Sequence, residues 1–274
     1  MELVLARQWS AVARVATVDG DVWFKEDPSA LAFEPALTAL LARRRPDLLP
    51  EVIAHEGPRL LTRHAGRRLR AQLDDGGHAP RWEDLLAQQA ELQLDLAAEV
   101  DQALALGVLD ARTERLEELS AALPQHETRR EALRRAVEGL GDALPPTVVH
   151  TEAHDGNLFV ETDGRVRLLD WAEAVVGHPF VGIVLPLRFA AERTGRSPEL
   201  LRDGYLEPFT RIAPMAELRD AFEHGYLLGC LVRALSWNEL AIPPHEAAEL
   251  GDPVRSWLEV FDGVSAGTIT LGDA

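Results

Sequence analysis

Residues 146–171 read PTVVHTEAHDGNLFVETDGRVRLLDW, and they carry the most informative pattern in the sequence. A strand is predicted to end at Val149, and two further β-rich runs flank the turn residues at 162–164. The sequence Asp-Gly-Asn at 155–157 cannot easily continue a helix, so the polar residues around it are predicted to lie in a loop. Loops that are held by strands are where binding and catalytic groups concentrate.

The polar side chains of this segment allow three interpretations. They are His150, Glu152, His154, Asp155, Asn157 and, after the last strand, Asp170. Two histidines four residues apart with Glu152 between them are a loose echo of a zinc motif, but that motif needs a helix. A turn whose polar residues only cap each other is the structural alternative. Phosphoryl transfer is the third, because carboxylate and amide oxygens are hard ligands that suit Mg²⁺.

The spacing of these residues resembles the active-site loop of the aminoglycoside phosphotransferase family. That loop reads His-x-Asp-x4-Asn in the family, whereas here it reads His-x-Glu-x4-Asn, followed by an apolar strand and Asp-Trp. Three further segments match in order: VWFK at 22–25, RLLTRHAG at 59–66 and GHPFVGIVLPLR at 177–188, the last matching a helix. Each segment alone is a weak signal, but the four in order, across roughly residues 10–190, are a strong one.

The resemblance implies the two-lobed fold of the protein kinases. This is an α+β fold with a small β-rich N-lobe and a larger, mostly helical C-lobe. We expect the N-lobe, which would bind the nucleotide, at residues 1–66. The C-lobe is expected at residues 67–274, with the catalytic-loop hairpin at 146–171 and the acceptor site.

The residue pattern along the chain agrees with that division. Residues 10–25 alternate apolar and polar positions on either side of an Asp-Gly pair, which is a hairpin signal. A helix is predicted within 31–45, and two short strands are predicted on either side of a Gly-Pro turn at 57–58. From Trp82 onward the apolar spacing is helical, and the strand signal returns only in 146–171.

The resemblance also implies roles for the residues of the loop. Glu152 stands where the family has its catalytic Asp, and it would chiefly orient the hydroxyl group that accepts the phosphoryl group. His150 is expected to orient the loop. Asn157 and Asp170 are expected to hold Mg²⁺.

The N-terminal residues are expected to bind ATP or GTP. Lys25 closes the second strand of the hairpin and would bind the α- and β-phosphates as a compact cation. Glu34 is its expected partner, and main-chain groups of Thr62, Arg63 and His64 would bind the edge of the adenine. The plainer alternatives are that Lys25 is an exposed cation at a strand end and Glu34 a surface residue near a helix start.

The sequence departs from the family pattern in three places. Glu152 is one methylene longer than the family's Asp, and misplacing a catalytic group by about 1 Å can cost about 10²-fold in rate. Glu34 precedes Pro35, and a residue before proline avoids the helical region. Residues 6–10 contain no glycine, so a glycine-rich phosphate loop is absent or altered. A pseudokinase that binds nucleotide or ligand without transferring phosphate is therefore the alternative function.

Composition and charge narrow the set of partners. The chain has 274 residues and a net charge of −17, so it should repel nucleic acid and anionic membranes and attract cationic small molecules. Its one cysteine, Cys230, excludes an intramolecular disulfide framework and is predicted to be a core residue. Without a recognisable signal peptide or membrane span, a cytoplasmic location is expected. Only one of the 28 basic residues is a lysine, Lys25.

The expected function is phosphorylation of a hydroxyl group on a small molecule, with ATP or GTP as donor and Mg²⁺ as the metal. The family's acceptors include aminoglycosides, other antibiotics, choline-like alcohols and sugars. An aminoglycoside-like antibiotic, an amino sugar or another polar metabolite is therefore expected here, and an antibiotic acceptor would imply a role in resistance. The protein is expected to be a monomer or a homodimer.

Overall fold

The computed structural model describes residues 1–7, 9–77, 80–240 and 251–274. The fold is α+β, as expected, with an antiparallel sheet at the N-terminus and mostly helices after it. The chain groups into two compact units. Unit 1 comprises Met1–Pro80, Asp101–Val108 and Ala153–Glu173, and unit 2 comprises Arg81–Val100, Leu109–Glu152 and Ala174–Ala274. The lobe boundary at residue 66 stays a prediction.

Unit 1 begins with a five-stranded antiparallel sheet. Its strands are β1 (Glu2–Arg7), β2 (Ser10–Thr17), β3 (Gly20–Glu26), β4 (Val52–Glu56) and β5 (Arg59–Arg63). Their spatial order is β1-β2-β3-β5-β4, so β3 is paired with a neighbour on both sides. Lys25, near the end of β3, is therefore carried by a strand that cannot shift without breaking two ladders.

The β2–β3 hairpin follows from its turn residues. Thr17 pairs with Gly20, which leaves Val18 and Asp19 as a two-residue turn. Gly20 has a φ of +103°, a value that glycine adopts without steric cost. The predicted hairpin is confirmed, with its turn one residue earlier than the Asp-Gly pair.

Helix α1 spans Glu34–Arg44 and lies inside the segment predicted to be helical. Pro35 lies in its first turn. Backbone N–H groups there have no acceptor within the helix, so a proline, which lacks the N–H, breaks no helical hydrogen bond. Leu37 and Leu41 are fully buried one turn apart, which gives the helix its apolar face. Since the proline is accommodated at the start, Glu34 is itself the first helical residue.

A second sheet in unit 1 contains the predicted hairpin around residues 162–164. Its strands are β6 (Arg67–Arg68), β9 (Leu158–Val160) and β10 (Val166–Leu168), in the order β10-β9-β6. Gly66, just before β6, has a φ of +100°, and a Cβ there would come within 2.3 Å of the carbonyl oxygen of Val160. Only glycine fits this position. A short helix, α2 (Leu69–Asp74), follows β6.

Unit 2 is mainly helical. Its helices are α3 (Trp82–Leu96), α5 (Thr113–Ser120), α6 (Glu127–Leu140), α7 (Val184–Thr194), α8 (Pro198–Leu206), α9 (Met215–Glu239) and α10 (Pro253–Ser265). Helix α4 (Val100–Ala105) belongs to unit 1 from Asp101 onward. The core of unit 2 contains Phe180, Tyr205, Phe209 and Phe222, and the ring centroids of the contacting pairs lie 5.3 to 6.2 Å apart. Cys230 in α9 is fully buried, as predicted, and burial raises the pKa of its thiol to about 12. No helix in the described ranges is long and apolar enough to span a membrane.

Unit 2 also contains a three-stranded sheet that corrects one prediction. Its strands are β7 (Leu109–Ala111), β8 (Thr147–Val149) and β11 (Val175–Gly177), in the order β7-β11-β8. The sequence predicted strands after Trp82 only in 146–171, so β7 and β11 were missed. Three residues are too few to show alternation, and β7 and β11 pair across 66 positions of the chain. The segment at 177–188 is helical only in part, because a 3₁₀ turn (Pro179–Gly182) precedes α7.

Candidate active site

Lys25 lies at the centre of a cluster of carboxylates in unit 1. Its Nζ donates a hydrogen bond to Asp170 Oδ1 at 2.7 Å and another, short one to Glu34 Oε2. Asp27 Oδ1 is 3.3 Å from the same nitrogen. Lys25 is therefore a mostly buried member of an ion cluster, and the alternative of an exposed cation at a strand end is wrong for this residue.

Glu34 connects Lys25 to the residue after Asp170. Its side chain is 1% exposed, so the surface alternative is also wrong. One carboxylate oxygen is bonded to Lys25, and the other accepts a hydrogen bond from the backbone N–H of Trp171 at 3.0 Å. Because both carboxylate oxygens are used, Glu34 holds Lys25 of β3 and the backbone of Trp171, just after β10, in a defined arrangement.

The pKa values of the cluster show why its charge balance matters. Burial lowers the pKa of Lys25, but Asp170, Glu34 and Asp27 together outweigh it and hold that pKa well above its usual value. Burial is also the largest influence on Glu34 and Asp27, and it raises the pKa of both carboxyl groups against the opposing effect of Lys25. Three carboxyl groups thus lie against one ammonium group, and burial opposes the ionisation of two of them, Glu34 and Asp27.

Asp170 has an unusual backbone conformation. Its φ is +69°, and it is the one non-glycine residue with a positive φ in the described parts of the chain. Such a conformation is sparsely populated, and strain of this kind concentrates at functional sites. One carboxylate oxygen of Asp170 is bonded to Lys25, and its side chain is 48% exposed, so solvent reaches this end of the cluster.

The residues next to Asp170 offer a second oxygen ligand. The N–H of Leu169 donates to the carbonyl of Asn157 at 3.0 Å, which continues the β9–β10 ladder by one step and makes Asn157 a neighbour of Asp170. A carboxylate and an amide oxygen fit Mg²⁺, which takes oxygen ligands and retains several waters. The pair predicted to hold the metal therefore suits it chemically, and metal binding by this pair stays a prediction.

The zinc interpretation of the loop is not supported. Residues 150–157 form turns, so the helix that the motif needs is not there. Each histidine instead folds back on its own backbone: His150 Nδ1 accepts from the N–H of Glu152 at 3.1 Å, and His154 Nδ1 accepts from the N–H of Gly156 at 3.0 Å. Across the described ranges, no group of three or more His, Cys, Asp and Glu side chains is arranged to hold a metal ion.

Glu152 and His150 lie in unit 2, directly after β8. His150 is buried, and its bond to the N–H of Glu152 supports an orienting role for the ring. The Glu152 carboxylate accepts a hydrogen bond at 2.7 Å from Nη2 of Arg233, a buried residue of α9. Glu152 is therefore not a loosely held surface carboxylate.

The predicted adenine-binding segment divides into two parts. Thr62 pairs with Trp23 on one side and Val52 on the other, and the N–H of Arg63 donates to the carbonyl of Glu51 at 2.9 Å. The sheet thus occupies main-chain groups of both residues. His64 lies beyond the end of β5, and its role and those of Thr62 and Arg63 in binding adenine stay predictions.

Three residues of these clusters were missed by sequence reasoning. Trp23 and Asp27 lie two positions before and after Lys25, so the alternation of a strand could have indicated that they share its face. Trp23 Nε1 donates to His64 Nδ1 at 3.0 Å, and the two rings stack. Arg233 also had a signal, because a charged residue inside the apolar run HGYLLGCLVRALSW needs a buried partner.

The chain is similar to known phosphotransferases in sequence pattern and in fold. The model of a phosphotransferase enzyme family matches residues 4–227. No curated protein matches the chain at the sequence level.

Solved structures extend the likeness across nearly the whole chain. An aminoglycoside 2'-phosphotransferase-IIIa, solved as its GDP complex, has a TM-score of 0.61 at 16% identity, with 98% of this chain and 93% of that chain covered. A macrolide 2'-phosphotransferase from Brachybacterium faecium has a TM-score of 0.60 at 17% identity, with 96% and 90% covered. A choline kinase from Streptococcus pneumoniae has a TM-score of 0.62 at 12% identity, with 97% and 95% covered. These likenesses confirm the expected kinase-like fold.

Proposed function

Because the chain belongs to the phosphotransferase enzyme family, we propose that it transfers the γ-phosphoryl group of ATP or GTP to a hydroxyl group of a small molecule. The observation that carries this proposal is the arrangement of Lys25 between Glu34 and Asp170, with Glu34 bonded also to the N–H of Trp171. An ammonium group held by two carboxylates from distant parts of the chain is a costly arrangement in a mostly buried place, and phosphate binding explains it.

The residues of unit 1 bind the nucleotide in this proposal. Lys25 donates to phosphate oxygens, and Asp170 with Asn157 holds Mg²⁺. The metal, when bound, neutralises charge on the phosphates as the phosphoryl group leaves. Asp170 shares its carboxylate between Lys25 and the metal, since half of its side-chain surface is exposed.

Glu152 orients the acceptor hydroxyl in this proposal. In the reaction the bond between the γ-phosphorus and the bridging oxygen breaks, a bond from the acceptor oxygen to that phosphorus forms, and the hydroxyl proton leaves. A carboxylate that accepts the hydrogen bond of the hydroxyl fixes the direction of attack and is placed to receive that proton. His150 keeps the backbone of Glu152 in place through its ring nitrogen.

The acceptor is proposed to be a hydroxylated amine. The net charge of −17 favours a cationic molecule, and the similar structures include enzymes named for aminoglycosides and for choline. An aminoglycoside-like antibiotic, an amino sugar and a choline-like alcohol are the acceptors to test first, and a macrolide is tested beside them. Phosphorylation of an antibiotic would make the protein a resistance factor.

A pseudokinase that binds nucleotide without transferring phosphate is the second candidate. It is favoured by the glutamate at position 152, whose carboxylate is engaged by Arg233. Under this alternative the nucleotide cluster around Lys25 is retained and the acceptor-orienting group is blocked.

Release of ADP distinguishes the two candidates. Mg²⁺-ATP binding is measured first by calorimetry, and ADP release is then followed with kanamycin, glucosamine, choline, ethanolamine and erythromycin as acceptors. Stimulated release that is lost in Lys25→Met and retained in Arg14→Met, a change to an exposed arginine of β2, supports the kinase. Tight binding without stimulation by any acceptor would support the pseudokinase and reject phosphoryl transfer.

A further inference from the structure

Arg233 is a buried arginine in the middle of an apolar helix. Its side chain is 3% exposed, and it lies in α9 between Val232 and Ala234, both fully buried. A buried guanidinium group loses its hydration, so it is tolerated only where charge and hydrogen bonds replace the lost water. Its contacts should therefore indicate why it is there.

Those contacts are made with two consecutive residues of the loop after β8. Nη1 donates to Thr151 Oγ1 at 3.1 Å, and Nη2 donates to Glu152 Oε1 at 2.7 Å. The guanidinium carbon also lies 5.5 Å from the ring centroid of Trp257 in α10, within the range of a cation–π contact. The guanidinium group is thus held by two hydrogen bonds from the loop side and also lies over an aromatic ring.

The arrangement suits arginine and not lysine. Two separate nitrogens of a rigid fork bind two side chains at once, whereas the single ammonium of a lysine is a point charge on a flexible stem. Because α9 and α10 are packed helices, the fork is itself fixed. The fixed guanidinium group therefore orients the carboxylate of Glu152 in the loop.

This direction matters because position 152 carries glutamate. A glutamate side chain has one more methylene and one more rotatable bond than an aspartate, so it reaches further and loses more conformational freedom when it is ordered. We propose that Arg233 is a positioning residue for Glu152, and that its fork holds the longer carboxylate in the place from which it orients the acceptor hydroxyl. This role rests on the proposed function.

Replacement of Arg233 should act on turnover and spare nucleotide binding. Arg233→Met keeps much of the apolar volume and removes the fork, and we expect kcat to fall about 10²-fold because the carboxylate is displaced by about 1 Å. The KM for Mg²⁺-ATP should change by no more than about threefold, because the residues proposed to bind the nucleotide lie in unit 1. Arg233→Lys, which keeps the charge without the fork, should recover only part of the loss.

A double-mutant cycle separates positioning from general damage. Glu152→Ala alone and Arg233→Met alone should each lower kcat about 10²-fold, and the double variant should also lose about 10²-fold rather than about 10⁴-fold, because either change alone already removes the positioned carboxylate. Arg129→Met is the matched control. Arg129 is another buried arginine of unit 2, bonded to Asp262 at 2.5 and 3.0 Å, and its loss should lower the thermal midpoint without lowering kcat.

The experiment measures kcat for ADP release with saturating Mg²⁺-ATP and the acceptor that stimulates the wild-type chain most, and it records the thermal midpoint of every variant. Non-additive losses in the cycle, with an unchanged kcat in Arg129→Met, are the expected result. Additive losses, or an equal loss of kcat in Arg129→Met, would overturn the positioning role while leaving the kinase proposal standing. A wild-type chain that binds Mg²⁺-ATP but releases no ADP with any acceptor would overturn both.

Discussion

Of the two variants Asp170→Gly and Asp170→Ala, the glycine variant should have the higher free energy of unfolding, and both should lose activity. Asp170 holds a φ of +69°, which costs an L-residue free energy, and its carboxylate is bonded to Lys25 at 2.7 Å. Asp170→Gly and Asp170→Ala both remove that carboxylate, so Lys25 loses the same partner in each. The two variants differ in the backbone preference of the new residue, which isolates the conformational strain.

The size of this difference follows from the backbone. A left-handed conformation costs an L-residue about 1–2 kcal/mol, and glycine is free of this cost. Glycine in turn loses about 0.5–1 kcal/mol more chain entropy on folding than alanine. The glycine variant should therefore exceed the alanine variant by about 1 kcal/mol in free energy of unfolding, which is about 2 °C in the thermal midpoint for a chain of this size.

Thermal unfolding without nucleotide measures the first effect, and ADP release with Mg²⁺-ATP and an acceptor measures the second. Both variants should lose about 10²-fold or more in kcat, because each lacks a group that stabilises charge on the transferring phosphoryl group. An alanine variant as stable as the glycine variant would refute the assignment of strain to this residue. Full activity in either variant would refute the role of the carboxylate in metal binding.

Three other changes test separate features of the fold and the site. Lys25→Arg keeps the charge but places a bulky fork among three carboxyl groups, so nucleotide-dependent turnover should fall about 10²-fold, while Arg14→Lys on the neighbouring strand should leave it unchanged. Gly66→Ala should cost about 3 kcal/mol or more in urea unfolding because its Cβ meets a backbone carbonyl, whereas Gly164→Ala, with a φ of +87° and open space, should cost about 1 kcal/mol. Burial lowers the pKa of His178 to about 3. Between pH 6.5 and 3, His178 is therefore protonated in the unfolded chain and neutral in the folded chain. Stability should therefore fall by about 2 kcal/mol from pH 7.5 to pH 5 through this residue, and His178→Asn, whose amide oxygen can still cap Phe180, should remove that part of the slope; an unchanged slope would contradict it.

Much of unit 1 was predictable because its structure follows from local chemistry. The two-residue turn before Gly20, the proline that begins α1 and the apolar alternation of β3 are properties of neighbouring residues, and the chain obeys them. The strands β7 and β11 were not predictable in the same way. Each is three residues long and is stabilised by a partner far along the chain, so no local pattern distinguishes it from a loop.

In the candidate site, too, some features follow from neighbouring residues and others from contacts between distant parts of the chain. The kinds of side chain and the family resemblance could be predicted from the sequence, since it contains a lone lysine at a strand end and an H-x-E-x4-N loop. Which charged side chains form pairs depends on the tertiary fold. Lys25 and Asp170 are 145 residues apart, and Arg233 and Glu152 are 81 apart. A buried charged group loses its bound water, so it needs a charged or polar partner from the protein. Packing brings that partner close, and the spacing of residues along the chain does not indicate which residue it is.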